Sequence, residues 1–188
     1  MLVRMGRTHD GISSELEHWI AQQHVFFVAT APSIASGLIN CSPKGMDTFR
    51  VIGPSEVAYL DLTGSGVETI AHSRENGRIV LMFCAFEGAP KIVRLHGRSE
   101  VCAAGSADYD GLVGRFPEYP GRRSIVRVLV ERVSDLCGYG VPLLHYAGER
   151  STLTRWAESK GDAGLATYRR EKNRFSLDGL PGLDESNA

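Results

Sequence analysis

Along the middle of the chain apolar and polar positions alternate with a period of two, while toward both ends they repeat at helical spacing. Lys91 to Val101 (KIVRLHGRSEV) and Ser124 to Val133 (SIVRVLVERV) alternate residue by residue, the pattern of strands with one buried face. Arg78 to Phe86 (RIVLMFCAF) is a dense apolar run of strand length, joined to Lys91 through Glu87-Gly88-Ala89-Pro90. These segments are predicted as central antiparallel strands. His24 to Ala31 (HVFFVATA) is β-branched and aromatic until Pro32 stops it, and Leu38 to Cys41 resumes after Ser36-Gly37, which predicts a hairpin. Phe49 to Gly53 and Val57 to Leu62 form a second pair across Pro54-Ser55.

Helical signals frame these strands. Ser14-x-x-Glu17 has the form of a capping box, and Leu16, Trp19 and Ile20 share a face, so a helix is predicted from about Ser13 to Gln23. Glu68 to Asn76 reads as a helix stopped by Gly77, and Ser106 to Phe116 as one lying on the sheet. After Gly148 the chain turns polar. Ser151 to Lys160 carries Leu153, Trp156 and Ala157 on one face, Gly161 to Asn173 is rich in Arg and Lys, and Ser176 to Ala188, with its proline and glycine breaks, is expected to be extended or loose.

Six to seven mostly antiparallel strands with one helix inserted among them do not fit a doubly wound parallel sheet. A mainly β fold, a closed or split β-barrel with peripheral helices, also hides strand edges that would otherwise aggregate. The expected organisation is a barrel domain over residues 1–147 with an N-terminal helix, and a helical extension over 148–188 packed on that domain or on a partner.

Composition narrows the function. A net charge of -1 over 188 residues lacks the basic field of a nucleic-acid-binding protein. Cys41, Cys84, Cys102 and Cys137 are too widely spaced for a zinc or CxxC motif and are expected to be buried free thiols. Met1 to Asp10 has no apolar leader core, and no apolar run approaches the ~20 residues that span a bilayer. A cytoplasmic protein is the expectation.

The segment Val57 to Asn76 runs strand, glycine loop (Thr63-Gly64-Ser65-Gly66), helix. Free N–H groups at such a helix start, with the hydroxyls of Thr63, Ser65 and Thr69, can converge on one anion, phosphate being the natural guest. Equally, the loop can be a bare tight turn, since the third glycine of a dinucleotide fingerprint is replaced by Thr69. Lys44 in Ser42-Pro43-Lys44-Gly45 and Arg94 in the alternating strand offer cations, unless both are solvated surface charges. Arg94 is in phase with Ile92 and His96; if that face is interior, Arg94 needs an anionic partner.

FFVATA at 26–31, NCSPKG at 40–45, VAYLDLTGSG at 57–66, ENGRIVLMFCAF at 75–86 and RLHG at 94–97 together resemble the pyridoxamine 5'-phosphate oxidase-like family of FMN-binding split barrels. GYGVP at 138–142 and DGLPG at 178–182 resemble a subgroup of unassigned substrate. The resemblance implies a homodimer with flavin at the subunit interface. It implies FMN phosphate held by Ser42 and Lys44 on one segment and by Thr63, Ser65 and Thr69 around Gly64 and Gly66 on the other. Val67 stands where relatives of the subgroup carry Asn, and the arginine and lysine set with which pyridoxamine phosphate oxidases hold both phosphates is not reproduced.

No catalytic residue is assigned. Glu56, Asp61 and Glu68 flank the loop as caps or as partners for arginine. His18, His24, His72, His96 and His145 show no metal-ligand spacing, and there is no nucleophile elbow. Tyr139 between glycines can end a strand or lie against a flat ring. Two functions follow: an FMN-dependent oxidoreductase acting on an unassigned small molecule, or a module that holds a flavin, haem or deazaflavin without turnover.

Overall fold

The computed structural model describes residues 6–184. In chain order its elements are β1 (Arg7–His9), α1 (Ser14–Ala21), β2 (Phe26–Thr30), β3 (Asn40–Lys44), β4 (Phe49–Gly53), β5 (Glu56–Leu62), α2 (Glu68–Glu75), β6 (Arg78–Cys84), β7 (Ile92–Ala103), α3 (Ala107–Val113), β8 (Arg122–Leu136) and α4 (Thr152–Lys172). Seven strands form one antiparallel sheet in the order β3-β2-β6-β7-β8-β5-β4, and β1 adds an eighth beside the far half of β8. The first and last strands of that order do not pair, so the sheet curls into a split barrel. The eighth strand was invisible in the sequence because Arg7–His9 is polar and short, and takes its shape from pairing with Val133, Ser134 and Asp135.

The core inside the barrel is built from alternate residues: Phe26 and Val28 of β2, Val57 and Tyr59 of β5, Leu81 and Phe83 of β6, Val93 and Leu95 of β7, Val126 and Val128 of β8. Helix α1 closes one end with Leu16 and Ile20. Strand β5 does not alternate, because α3 covers its other face with Tyr109 against Ala58 and Leu60. At Gly97 the β7–β8 register slips by one residue, and a Cβ there would collide with the Leu129 carbonyl, so this close backbone approach requires glycine.

Several local expectations shift. The cap of α1 is Ser13, whose hydroxyl accepts from Leu16 N–H at 3.2 Å, rather than Ser14. The return strand of the first hairpin is Asn40–Lys44, two residues later than Leu38, because Gly37 and Leu38 are taken up by the turn and by a bond from Leu38 N–H to Asp178. Cys84 and Cys102 are buried, whereas Cys41 is exposed on the outer face of edge strand β3 and Cys137 is half-buried. Helix α4 breaks at Gly161, which takes φ +61°. Residues 176–184 are folded back rather than loose, with Leu183 packed between Val67 and Ile70; the remainder of the predicted tail, 185–188, and the first five residues of the predicted leaderless N-terminus lie outside the described residues.

Candidate functional site: a braced glycine loop

Because successive strand residues face opposite sides, β3 presents Asn40, Ser42 and Lys44 together on the face toward β5 and α2. The Asn40 carboxamide donates to Thr30 Oγ1 and Thr69 Oγ1, each at 3.1 Å, and its oxygen accepts from Ser42 Oγ at 2.9 Å. Lys44 Nζ donates to Asp61 Oδ1 at 3.3 Å and remains partly exposed.

Asp61 is the charged hub. Its carboxylate is buried, receives Arg123 Nε at 2.7 Å on Oδ2 and lies 3.3 Å from Ser124 Oγ. Burial pushes its pKa up, but Arg123 and then Lys44 outweigh that and hold it below the ordinary carboxylate value. Arg123 reaches inward because the β5–β8 register slips between Asp61 and Leu62: Asp61 pairs with Ser124 and Leu62 with Arg122, leaving Arg123 in a bulge.

From that bulge Arg123 Nη1 donates to the Gly66 carbonyl at 3.0 Å and to Asn173 Oδ1 at 2.9 Å. Asn173, wholly buried at the end of α4, donates in turn to the carbonyls of Gly64 (2.9 Å) and Ser65 (3.3 Å). Three successive loop carbonyls are thus turned toward the protein. In a planar trans peptide the next residue's N–H points the opposite way, so the N–H groups of Ser65, Gly66 and Val67 face away from Arg123 and Asn173. None of them has an acceptor among the described residues. Ser65 and Gly66 are exposed, and α2 begins at once without a side-chain cap. The result is a row of free donors at a helix start, a geometry that receives an anion.

The structure therefore brings Ser42, Lys44, Gly64, Ser65, Gly66 and Thr69 to one region and gives the other candidates different places. Thr63 is buried and its hydroxyl is spent: it donates to the Gly121 carbonyl at 2.9 Å and accepts from Arg169 Nε at 2.9 Å, so Thr63 braces the loop from below. Thr69 Oγ1 accepts from Asn40 and ties α2 to β3. Arg94 stands apart. The core face of β7 carries Val93 and Leu95, so Arg94 and His96 point outward into a shallow cleft with Arg7, Arg132 and Asp135.

Arg123, Asn173, Arg169 and Asn40 were missed as site residues. Arg123 and Arg169 carry no local motif that marks them, Arg169 standing in an Arg- and Lys-rich stretch, and only the bulge and the return of α4 bring them under the loop. Val67 is also explained: it is buried against Ile70 and Leu183, a packing role that an asparagine would not fill. Among the described residues no group of three or more His, Cys, Asp or Glu side chains could hold a metal ion, and no helix is long and apolar enough to cross a membrane.

Residues 12–137 match the family model described as pyridoxamine 5'-phosphate oxidase. Over 192 aligned residues the chain is 39% identical to the pyridoxamine 5'-phosphate oxidase family protein ustO of Aspergillus flavus, covering 93% of this chain and 77% of that relative. Among solved structures, a variant of HupZ from Group A Streptococcus superposes with a TM-score of 0.52 at 26% identity, covering 66% of this chain and 99% of that one. A pyridoxamine 5'-phosphate oxidase-type protein from Lactobacillus delbrueckii gives 0.52 at 19% identity, over 69% and 98%, and shares the fold. The split barrel and the sequence match over two thirds of its length place this chain in the pyridoxamine 5'-phosphate oxidase family.

Proposed function

We propose that the protein binds FMN by its phosphate at the 63–66 loop and works as an FMN-dependent oxidoreductase, as a homodimer with flavin at the subunit interface. The observation that carries the reading is the row of outward N–H groups at Ser65, Gly66 and Val67, held open by Arg123 and Asn173. A phosphate dianion accepts from such donors at full strength, and the start of α2 adds its dipole. The resemblance of the sequence motifs to those of FMN-binding split barrels supports FMN as the source of that phosphate. Ser65 offers an exposed hydroxyl, Lys44 uses one of its three N–H donors on Asp61 and keeps the others, and the Glu68 carboxylate, which lies against Gly66, has to swing away on its flexible side chain to admit the phosphate.

Each protein group has a distinct task. Asn173 and Arg123 fix the loop, Asp61 fixes Lys44, and Asn40 aligns Ser42 with Thr69. Bound there, FMN would supply hydride or electron transfer. Ile34, Leu38, Ile39 and Leu177 are exposed apolar residues beside edge strand β3, and a second copy of the chain would cover them. The arginine and lysine set of vitamin B6 phosphate oxidation is not reproduced, so that substrate forms no part of the proposal.

The purified chain should be yellow, or take up FMN with quenching of flavin fluorescence. Lys44→Ala with Ser65→Ala removes charge-assisted hydrogen bonds worth roughly 1.5–3 kcal/mol each, so FMN affinity should fall by at least tenfold. A colourless protein that takes up no FMN overturns the proposal, and unchanged affinity in the double variant moves the phosphate elsewhere. Reduction of the bound flavin by NAD(P)H and its reoxidation distinguish the enzyme from a non-catalytic binding module.

A further inference from the structure

A second concave site shares no lining side chain with the glycine loop. A cleft of about 760 Å³ opens between the end of α1, the start of β2, the β6–β7 turn and the segment from Leu144 to Glu149, within the size range of small-molecule pockets. Its walls are flat rings. Trp19, Phe27 and Phe86 line it, and the His24 imidazole stacks on the Tyr146 ring with centroids 3.5 Å apart and planes 5° from parallel.

The charges in this cleft are of one sign. Glu87 and Glu149 line it, with no lysine or arginine among its lining residues. Both carboxylates are held by the Leu144 to Glu149 segment through one oxygen: Glu87 Oε1 accepts from Tyr146 N–H at 3.0 Å and lies 3.4 Å from His145, and Glu149 Oε1 accepts from Tyr146 O–H at 2.9 Å. Each keeps its Oε2 without a hydrogen bond among the described residues. Lys91 is the cation beside the cleft, with Nζ 4.9 Å from the Trp19 ring centroid, so that indole already serves as a cation–π partner.

We infer that this cleft binds a flat aromatic amine in its cationic form, with the ring among Trp19, Phe27, Phe86 and the His24–Tyr146 pair and the ammonium at Glu87 and Glu149. An apolar ring gains burial and stacking on these walls. The cation gains two carboxylates and the faces of electron-rich rings, whereas a phosphate or carboxylate ligand would meet charge of its own sign. The inference goes beyond the flavin reading and does not need it.

Calorimetric titration of the full chain at pH 8 with a matched indole series tests the idea: tryptamine as the cation, tryptophol as the neutral analogue and indole-3-acetate as the anion. Tryptamine should bind about tenfold tighter than tryptophol, and indole-3-acetate more weakly than either. In Glu87→Gln with Glu149→Gln, both exposed positions that leave the core untouched, tryptamine should fall to the affinity of tryptophol. Tyr146→Leu should weaken both. The inference is overturned if none of the three binds, if the anion matches the cation, or if the double glutamine variant still prefers tryptamine. It is also overturned if saturation with FMN abolishes tryptamine binding, which would assign the cleft to the flavin ring.

Discussion

Asp61 shows how one buried side chain can set both stability and site geometry. It neutralises Arg123, which lies in the interior with only 4% of its side chain exposed, and it also fixes Lys44. Asp61→Asn leaves Arg123 as an uncompensated buried charge, and the expected loss in chemical denaturation is about 3–5 kcal/mol. Adding Arg123→Met should recover part of that stability but not the anion affinity proposed for the loop, because the bonds to Gly66 and Asn173 are then lost. His72 sets the first acid limit. It is wholly buried, bonded through Nδ1 to Thr30 Oγ1, and burial lowers its pKa from 6.5 despite the opposing fields of Asp178, Glu75 and Glu68. As pH falls through about 6.5 the unfolded chain takes up the proton first, so stability should drop as the pH falls below that value toward the lowered folded-state pKa. His72→Gln should flatten that limb of a melting-temperature profile. Asp61 sets the second limit, because its lowered pKa contributes stability that is present above 3.8 and lost as pH falls through its folded value.

At the scale of elements, two features place the site: the bulge in β8 and the clasp formed by the end of α4 with residues 174–184. The clasp is locked by Leu183 N–H to the Asn173 carbonyl (2.7 Å), by Arg74 with Asp184 (3.0 Å) and by Gly182, where a Cβ would collide with the Asn173 carbonyl and the Val67 side chain. Gly182→Ala should therefore displace the clasp, cost about 1–3 kcal/mol by overpacking, and speed proteolysis within residues 174–184 while the barrel stays intact. An unchanged cleavage rate would show that the clasp is not held there. Strands β5 to β8 were legible because alternation and apolar runs record burial directly. The clasp was not, since DGLPG reads locally as a string of turn formers and only its fit against Val67 and α2 gives it a fixed shape.

For the molecule as a whole, the open order of the sheet leaves β3 as an edge, flanked by exposed Ile39 and Leu177. If a second copy covers this edge as proposed, sedimentation should give a dimer, and Ile39→Glu with Leu177→Glu should yield monomers with weakened FMN binding. A dimer that persists unchanged places the interface on another face. Seven of the eight strands, the barrel class and the strand-loop-helix setting of the 63–66 loop follow from the sequence alone, because periodicity, glycine and proline act locally. Which hydroxyls remain free at that loop was decided only by tertiary structure. Thr63 is consumed by Gly121 and Arg169, Arg94 turns outward, and Arg123 and Asn173 reach the loop carbonyls from 57 and 109 residues away along the chain. A side chain's partners at such separations depend on a register slip in β8 and the return path of α4, and neither leaves a periodic trace in the residues that make it.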